Sequence, residues 1–390
     1  MTGGPDEPLT TPASSRVSLT VVAREWSRIG VTGFGGPPAH VALLRELMVD
    51  RTGWMGPAEF QDANAACGLL PGPASTQLAL FCAYRVAGVP GVLVGGVGFI
   101  APAVVLVILL SLLFLSHSPP LWIRGAGAGA GAAVAAVAVH AGRGFIAPSL
   151  ARLGGDRVRQ ARWAVYVAVG TAATVLLGPY LVLALFACGA FEVILAGHAR
   201  SSAGLFLVPG TIATGGLGAL AWTAFKVGAL SFGGGFVIIP LMQGDAVHVH
   251  HWMTNGQFLN AVALGQVTPG PVVATVAAVG YAAHGLEGAI LAAVVAFAPS
   301  FSFILLGGPR FEQLRGNRTA QAFLDGAGPA AIGAIFGAGI LLAIVLDGWQ
   351  LPLLAGAAVV LLLLRRGVVE TLVGAGIVGV AIVLAGGGLP

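Results

Sequence analysis

Charge is the first thing this 390-residue chain lacks: Asp, Glu, Lys and Arg make up only 9% of it. Soluble domains carry about 25%, so an ordinary water-soluble fold is excluded. Cysteine is scarce too. Cys67, Cys82 and Cys188 lie in or beside apolar runs at no ligand spacing, so no disulfide, and no thiolate metal centre, is expected. Neither HExxH nor GxxxxGK[ST] occurs, which argues against a zinc hydrolase and against ATP-driven pumping by this chain alone. The first 20 residues lack a basic segment followed by an apolar one. With Pro5, Pro8 and Pro12 they read as a disordered tail, not a signal peptide. The net charge of +4 is dispersed over short loops, a pattern that suits membrane topology better than nucleic-acid binding.

Apolar residues, by contrast, make up 57% of the chain, with a mean hydropathy of +0.91. Runs such as 89–115, 163–196, 323–344 and 368–384 reach or approach the roughly 20 residues that cross a bilayer as a helix. They lack the period-two alternation of barrel strands, so the expected fold is all-α and polytopic. Glycine is also in excess, at 60 residues. The stretch GAGAGAGAAVAAV at 125–137 reads either as a face for close helix contact or as a plain helix.

An internal repeat runs at an offset of 198 residues. Residues 28–73 and 226–271 align without a gap and share 14 of 46 positions, including Phe34/Phe232, Trp54/Trp252, Phe60/Phe258 and both Pro-Gly-Pro triplets. Chance apolar similarity does not keep such residues in one register. After one deletion, Gly88 and Pro102 match Gly285 and Pro299. The expected organisation is a tail at 1–20, a first repeat at 21–200, a connecting apolar segment at 201–222 and a second repeat at 223–390.

Loop charge then predicts orientation. The stretch 143–162 holds five arginines and one aspartate, whereas 116–121 holds no Lys or Arg. The second-half counterpart of that uncharged loop, 309–319, has Arg310, Arg315 and Arg318 against Glu312. Equivalent loops are therefore expected on opposite sides, an inverted repeat. Thirteen crossings are expected, the first at 29–49, 60–84 and 91–115. The count falls to eleven if 163–196 is a single tilted crossing and 204–221 stays outside the bilayer.

Two paired interruptions carry the functional expectations. One pair is Phe34-Gly35-Gly36 and Phe232-Gly233-Gly234; the other is Pro71-Gly72-Pro73 and Pro269-Gly270-Pro271. Proline removes a backbone donor and glycine loosens a helix, so each PGP is expected to break its helix. Such a break either kinks a packed helix or exposes amides and a positive dipole end to an anion. Ser75, Thr76, Gln77, Gln266, Thr268 and Thr275 add neutral donors. Arg28 and Lys226, at equivalent positions, either attract an anion or snorkel to headgroups. Arg45 is an anion-contact candidate and Glu46 is its charged neighbour. His40 either hydrogen-bonds an oxyanion or satisfies a neighbouring helix. Glu46, Glu59 and Asp62 are candidate proton carriers, though Glu59 and Asp62 equally suit helix capping. Arg85 and Glu287 read as topology residues. Asp245, His248, His250 and His251 read as a solvated loop, not a metal site.

These residues resemble the chromate ion transporter family. The resemblance rests on GFGGPPAH with LLPGPASTQ in one half, and on SFGGGF with GQVTPGP in the other. It covers roughly residues 25–105 and 220–345. It implies a proton-linked antiporter that expels chromate from the cytoplasm across the plasma membrane and confers chromate resistance. Some members are thought to interact with sulfate, and long members have halves of opposite orientation. Gly33 stands where serine is common and Phe236 where tyrosine is often found. The implied partners are chromate or sulfate, protons and membrane lipid, with a homodimer left open. No cofactor, metal or nucleic acid is implied. A sulfate or other oxyanion carrier of the same architecture is the close alternative; a membrane enzyme or scaffold is the distant one.

Overall fold

The computed structural model describes residues 17–68, 70–116, 118–197, 215–231, 237–307 and 317–388, all helix, turn or coil with no strand among them. Helix α1 (Leu19–Thr32) buries Val22, Trp26 and Ile29, spaced four and three residues apart on one face. The Trp26 indole nitrogen donates to the Ala79 carbonyl at 2.8 Å. Gly35 and Gly36, both at positive φ, end this run, and α2 (Pro37–Arg45) restarts on a proline pair and passes into a π-turn at Glu46–Arg51. The expected single crossing at 29–49 is thus two helices, because the glycines turn the chain where continuity was expected.

Helix α3 (Pro57–Cys67) is separated by the first PGP from α4 (Ala74–Phe114). Helix α4 is 41 residues long, about 60 Å if straight and twice a bilayer core. It is not straight. Gly88, at φ 64° and ψ −152°, folds it back on itself. A Cβ on Gly95 would lie 2.8 Å from the Ala83 Cβ, and one on Gly96 would lie 2.6 Å from a Leu80 methyl.

The chain continues through α5 (Leu121–Ala151), α6 (Arg157–Leu177) and α7 (Leu181–Leu195). The arginines expected in a loop at 143–162 lie mostly on helix ends, since only 152–156 separate α5 from α6.

The second half repeats this order. Helix α8 (Gly216–Leu230) corresponds to α1, and α9 (Ile238–Gln243) to the end of α2. The π-turn at Gly244–Val249 falls at the register of the first one. Helix α10 (Asn255–Val267) matches α3, and α11 (Val276–Gly307), entered through a 3-10 turn at Val272–Thr275, matches α4. It too folds at a positive-φ glycine, Gly285. Helices α12 (Arg318–Ile344), α13 (Gln350–Ala358, passing into a π-turn at Val359–Leu363) and α14 (Val368–Leu384) complete the chain.

Glycine lets the halves interlock. A Cβ on Gly125 of α5 would lie 2.9 Å from the Gly379 carbonyl oxygen of α14, and Gly129 meets the Ala375 carbonyl more closely still. The counterpart of α5 does the reverse: α12 lays Gly326 on Cys188 of α7 and Gly333 on Val167 of α6. The stretch 125–137 is therefore a contact face. Helices α5 and α12 also lie side by side, Gly142 against Ile335 and Phe336, and Gly339 against Val139 and Ala135. Chain position falls along one as it rises along the other, so they are antiparallel.

Outside this core, Val89, Leu93 and Val97 of α4 are exposed, as are their equivalents Leu286, Ile290 and Val294 of α11. An apolar stripe of residues four apart, open on a helix, suits lipid. Among the described residues, Ala74–Phe114, Leu121–Ala151, Val272–Gly307 and Arg318–Ile344 are long and apolar enough to cross a membrane, and four further apolar helices are shorter. The protein is an all-α polytopic membrane protein of two similar halves.

Candidate functional site at the two PGP turns

Both PGP triplets lie where the chain leaves the helix, with Gly72 at φ 118° and Gly270 at φ 93°. Only glycine adopts such angles without strain. Each turn is wedged into the other half. A Cβ on Gly72 would lie 3.2 Å from the Gly228 carbonyl oxygen of α8 and 3.6 Å from the Ser300 hydroxyl of α11. A Cβ on Gly270 would lie 3.4 Å from the Gly30 carbonyl oxygen of α1 and 2.8 Å from the Ala103 Cβ of α4. Gly30 and Ala103 are the repeat equivalents of Gly228 and Ser300, so the two contacts are reciprocal.

The first turn is the more polar of the two. Ser75, Thr76 and Gln77 begin α4, where the second half has Val273, Ala274 and Thr275. All three are buried, Thr76 and Gln77 completely. The Gln77 amide nitrogen donates to the Pro71 carbonyl at 2.7 Å, while its own carbonyl oxygen has no partner; nor does the Thr76 hydroxyl. Ser300 is fully buried and its hydroxyl is likewise unpartnered. At the second turn Thr275 donates to the Val272 carbonyl at 2.7 Å, and Thr268 lies 3.4 Å from that of Gly265. The Gln266 side-chain nitrogen, however, is buried without a partner.

His40 braces the first half at the junction. Its Nε2 lies 3.0 Å from the Gly33 carbonyl and its Nδ1 3.2 Å from the Ser75 hydroxyl. A carbonyl can only accept, so Nε2 carries the proton and Nδ1 accepts from Ser75. The same Gly33 carbonyl accepts from the Gly270 amide at 3.0 Å. His40 thus satisfies a neighbouring element. The room left for residue 33 is also explained, because a Cβ there would sit 2.7 Å from the His40 ring.

The charged candidates lie elsewhere. Arg28 pairs with Glu25 at 3.3 Å, and Glu25 also takes Arg51 at 3.2 Å. Lys226 pairs with Asp245 at 2.5 Å, and the Thr223 hydroxyl donates to the same carboxylate oxygen at 2.8 Å. Asp245 is 4% exposed. The reading of Asp245 as part of a solvated loop is therefore corrected: the π-turn carries it inward, where a cation and a hydroxyl compensate it. His248, three residues on, is exposed as expected. Arg45 and Glu46 are exposed, Glu59 pairs with Arg85 at the surface, and Asp62 is half-buried. Phe34 is 48% exposed, whereas Phe232, Gly233 and Gly234 lie outside the described residues. No group of three His, Cys, Asp or Glu side chains converges among those described.

Sequence reasoning passed over Ser300 and Glu25 and misplaced Asp245. Register held the missing signals: Ser300 aligns with Ala103 directly after Pro299, and Thr223 replaces Glu25 where Asp245 replaces Leu47. The acid that neutralises the paired cation has moved from the cation's own helix to the next element.

An interlocked pair of similar helical halves, with non-helical turns and buried polar groups at their junction, defines a transporter-type membrane protein. The comparisons with known proteins give the family. The Chromate transporter family matches residues 20–193 and 218–382, and the chain belongs to it. It is 31% identical to a chromate transport protein of Cupriavidus metallidurans over 87% of each chain. It is 30% identical to a probable chromate transport protein of Synechococcus elongatus, over 83% of this chain and 84% of that one. A chromate transport protein of Pseudomonas aeruginosa is 29% identical over 79% of this chain and 77% of its own. No solved structure matches the chain. The family is one of transporters and not of enzymes.

Proposed function

We propose that this protein exports chromate from the cytoplasm across the plasma membrane by proton-linked alternating access and so confers chromate resistance. The carrying observation is the reciprocal packing of the two PGP turns, Gly72 on Gly228 and Ser300, Gly270 on Gly30 and Ala103. A transporter needs one site reachable from either side, and an interface between two similar halves supplies it.

In this reading the repeats span 21–200 and 223–390, joined by 201–222, and are inserted in opposite senses. Two findings support the inversion. The loop charges differ in sign of asymmetry between equivalent loops. The equivalent helices α5 and α12 run antiparallel side by side, as a two-fold axis lying in the membrane plane requires. The anion path is assigned to the PGP turns with Thr76, Gln77 and Gln266, whose hydrogen bonds are incomplete. The Gly270 amide joins the halves through the Gly33 carbonyl, which His40, itself bonded to Ser75, also caps. Arg28 acts on the anion through the single excess positive charge of the Arg28–Glu25–Arg51 cluster, whereas Lys226 is neutralised by Asp245.

Chromate uptake into everted membrane vesicles tests this. A proton gradient, acid inside, is expected to accelerate uptake, and a protonophore to remove the acceleration. If no tetrahedral oxyanion moves under any pH gradient in well-inserted protein, the reading is lost. If sulfate moves and chromate does not, the carrier stands but its substrate changes.

A further inference from the structure

The two PGP turns differ in what they leave unsatisfied. Two fully buried hydroxyls inside helices return their proton to a carbonyl one turn back: Ser111 to Val107 at 2.7 Å and Thr174 to Gly170 at 2.9 Å. Buried Thr371 does the same, to Gly367 at 2.9 Å. Ser300 does not. The carbonyl it would use, that of Ala296, lies under Gly228 of α8, and the Ser300 hydroxyl is left free at 0% exposure.

Gln77 stands across Gly72 from it. Both the Gln77 amide nitrogen, at 2.7 Å, and the Ser300 hydroxyl, at 3.6 Å, surround the space a Cβ on Gly72 would fill. The Gln77 amide orientation is fixed, since only its nitrogen can face the Pro71 carbonyl, 2.7 Å away. The free atom is thus the carbonyl oxygen, which can only accept. A buried polar atom without a partner is costly, and here a donor, the Ser300 hydroxyl, and an acceptor, the Gln77 carbonyl oxygen, are both left open. At the second turn Ser300 is replaced by Ala103 and Gln77 by Thr275, which is already bonded.

We infer that the oxyanion is held at the first PGP turn in a monoprotonated form, and that the Gln77 carbonyl selects it. The inference rests on the transport reading above. An anion oxygen accepts from Ser300, and the anion's own hydroxyl donates to Gln77. A fully deprotonated dianion would turn a lone pair toward the Gln77 oxygen and be repelled. Hydrogen chromate gives up its last proton close to neutral pH, whereas hydrogen sulfate does so only in strong acid. Two anions of nearly equal shape are therefore distinguished by a proton, and the discrimination is built as a penalty against the wrong one.

Equilibrium binding of chromate and of sulfate to the purified full-length protein in detergent, without any gradient, tests this between pH 6 and about 8.5. Wild-type affinity for chromate is expected to fall as pH rises through chromate's own ionisation, while weak sulfate binding stays level. Gln77→Met should reduce the chromate-to-sulfate affinity ratio by roughly tenfold and flatten the chromate profile. Ser300→Ala should weaken both anions by similar factors and leave the ratio unchanged. Because Gln77 also braces Pro71, the wild-type pH profile decides alone if the Gln77 variant does not fold. A level chromate profile, or an unchanged ratio in folded Gln77→Met, overturns the inference. Selective chromate binding without gradient-driven flux in vesicles would defeat the transport reading and leave the selectivity standing. No binding of either anion defeats both.

Discussion

Asp245 shows what a single residue can hide in a sequence. Its neighbours His248, His250 and His251 suggest a wet loop, but the π-turn buries it against Lys226 and Thr223. Removing one partner of a buried pair leaves an uncompensated charge and costs about 3–5 kcal/mol, more than removing both. Asp245→Ala is therefore expected to lower the thermal unfolding temperature in detergent sharply, and Asp245→Ala with Lys226→Ala to recover part of the loss. Equal losses in the single and double variants would mean that the pair contributes nothing through its charges. Glu59 and Arg85 are the contrasting case, with side chains 42% and 47% exposed. Surface pairs contribute about 0–1 kcal/mol, so Glu59→Gln should leave the unfolding temperature nearly unchanged.

At the scale of elements, the glycines decide which apolar runs are separate helices. The sequence placed a break between 84 and 91 and paired Gly88 with Gly285; the fold makes both the apex of a hairpin. At φ 64° and ψ −152°, Gly88 occupies a region closed to side chains. Gly88→Ala is expected to cost roughly 1–3 kcal/mol through strain alone, since no atom lies within 4 Å of the added Cβ. A stability change near zero by thermal unfolding would show that the hairpin relaxes at no cost. Gly129→Val tests a different link, because backbone of α14 fills the space beside Gly129. Its expected result is loss of stably folded, monodisperse protein on size exclusion.

The PGP turns, the turn at Gly35 and Gly36 and the repeat register were legible in the sequence because proline and glycine act locally. What was not legible depends on partners far away in the chain. Nothing local tells that the Ala296 carbonyl is covered by Gly228, which frees Ser300, or that Gly33 must leave room for His40. Helix starts were misplaced for a related reason: α1 begins at Leu19, ahead of the expected 29, because its amphipathic face is matched to α4 and has too little average hydropathy to stand out.

For the whole molecule, the antiparallel course of α5 and α12 makes a claim about the membrane that can be tested without any substrate. Ser118, ahead of α5, and Arg318, at the start of α12, are both exposed and come within a few positions of each other in the repeat register. Were the halves related by an axis along the membrane normal, both residues would face the same compartment. With the axis in the membrane plane they face opposite ones. The native cysteines are all buried, so replacing Cys67, Cys82 and Cys188 by alanine should provide a silent background for Ser118→Cys and Arg318→Cys. A membrane-impermeant maleimide added to intact cells is expected to label Ser118→Cys and to spare Arg318→Cys, and in everted vesicles the pattern should reverse. Labelling of both positions from one side would put the two halves in the same orientation. The exchange of partners at the PGP turns would then need a different symmetry, and alternating access by inverted halves would no longer describe this protein.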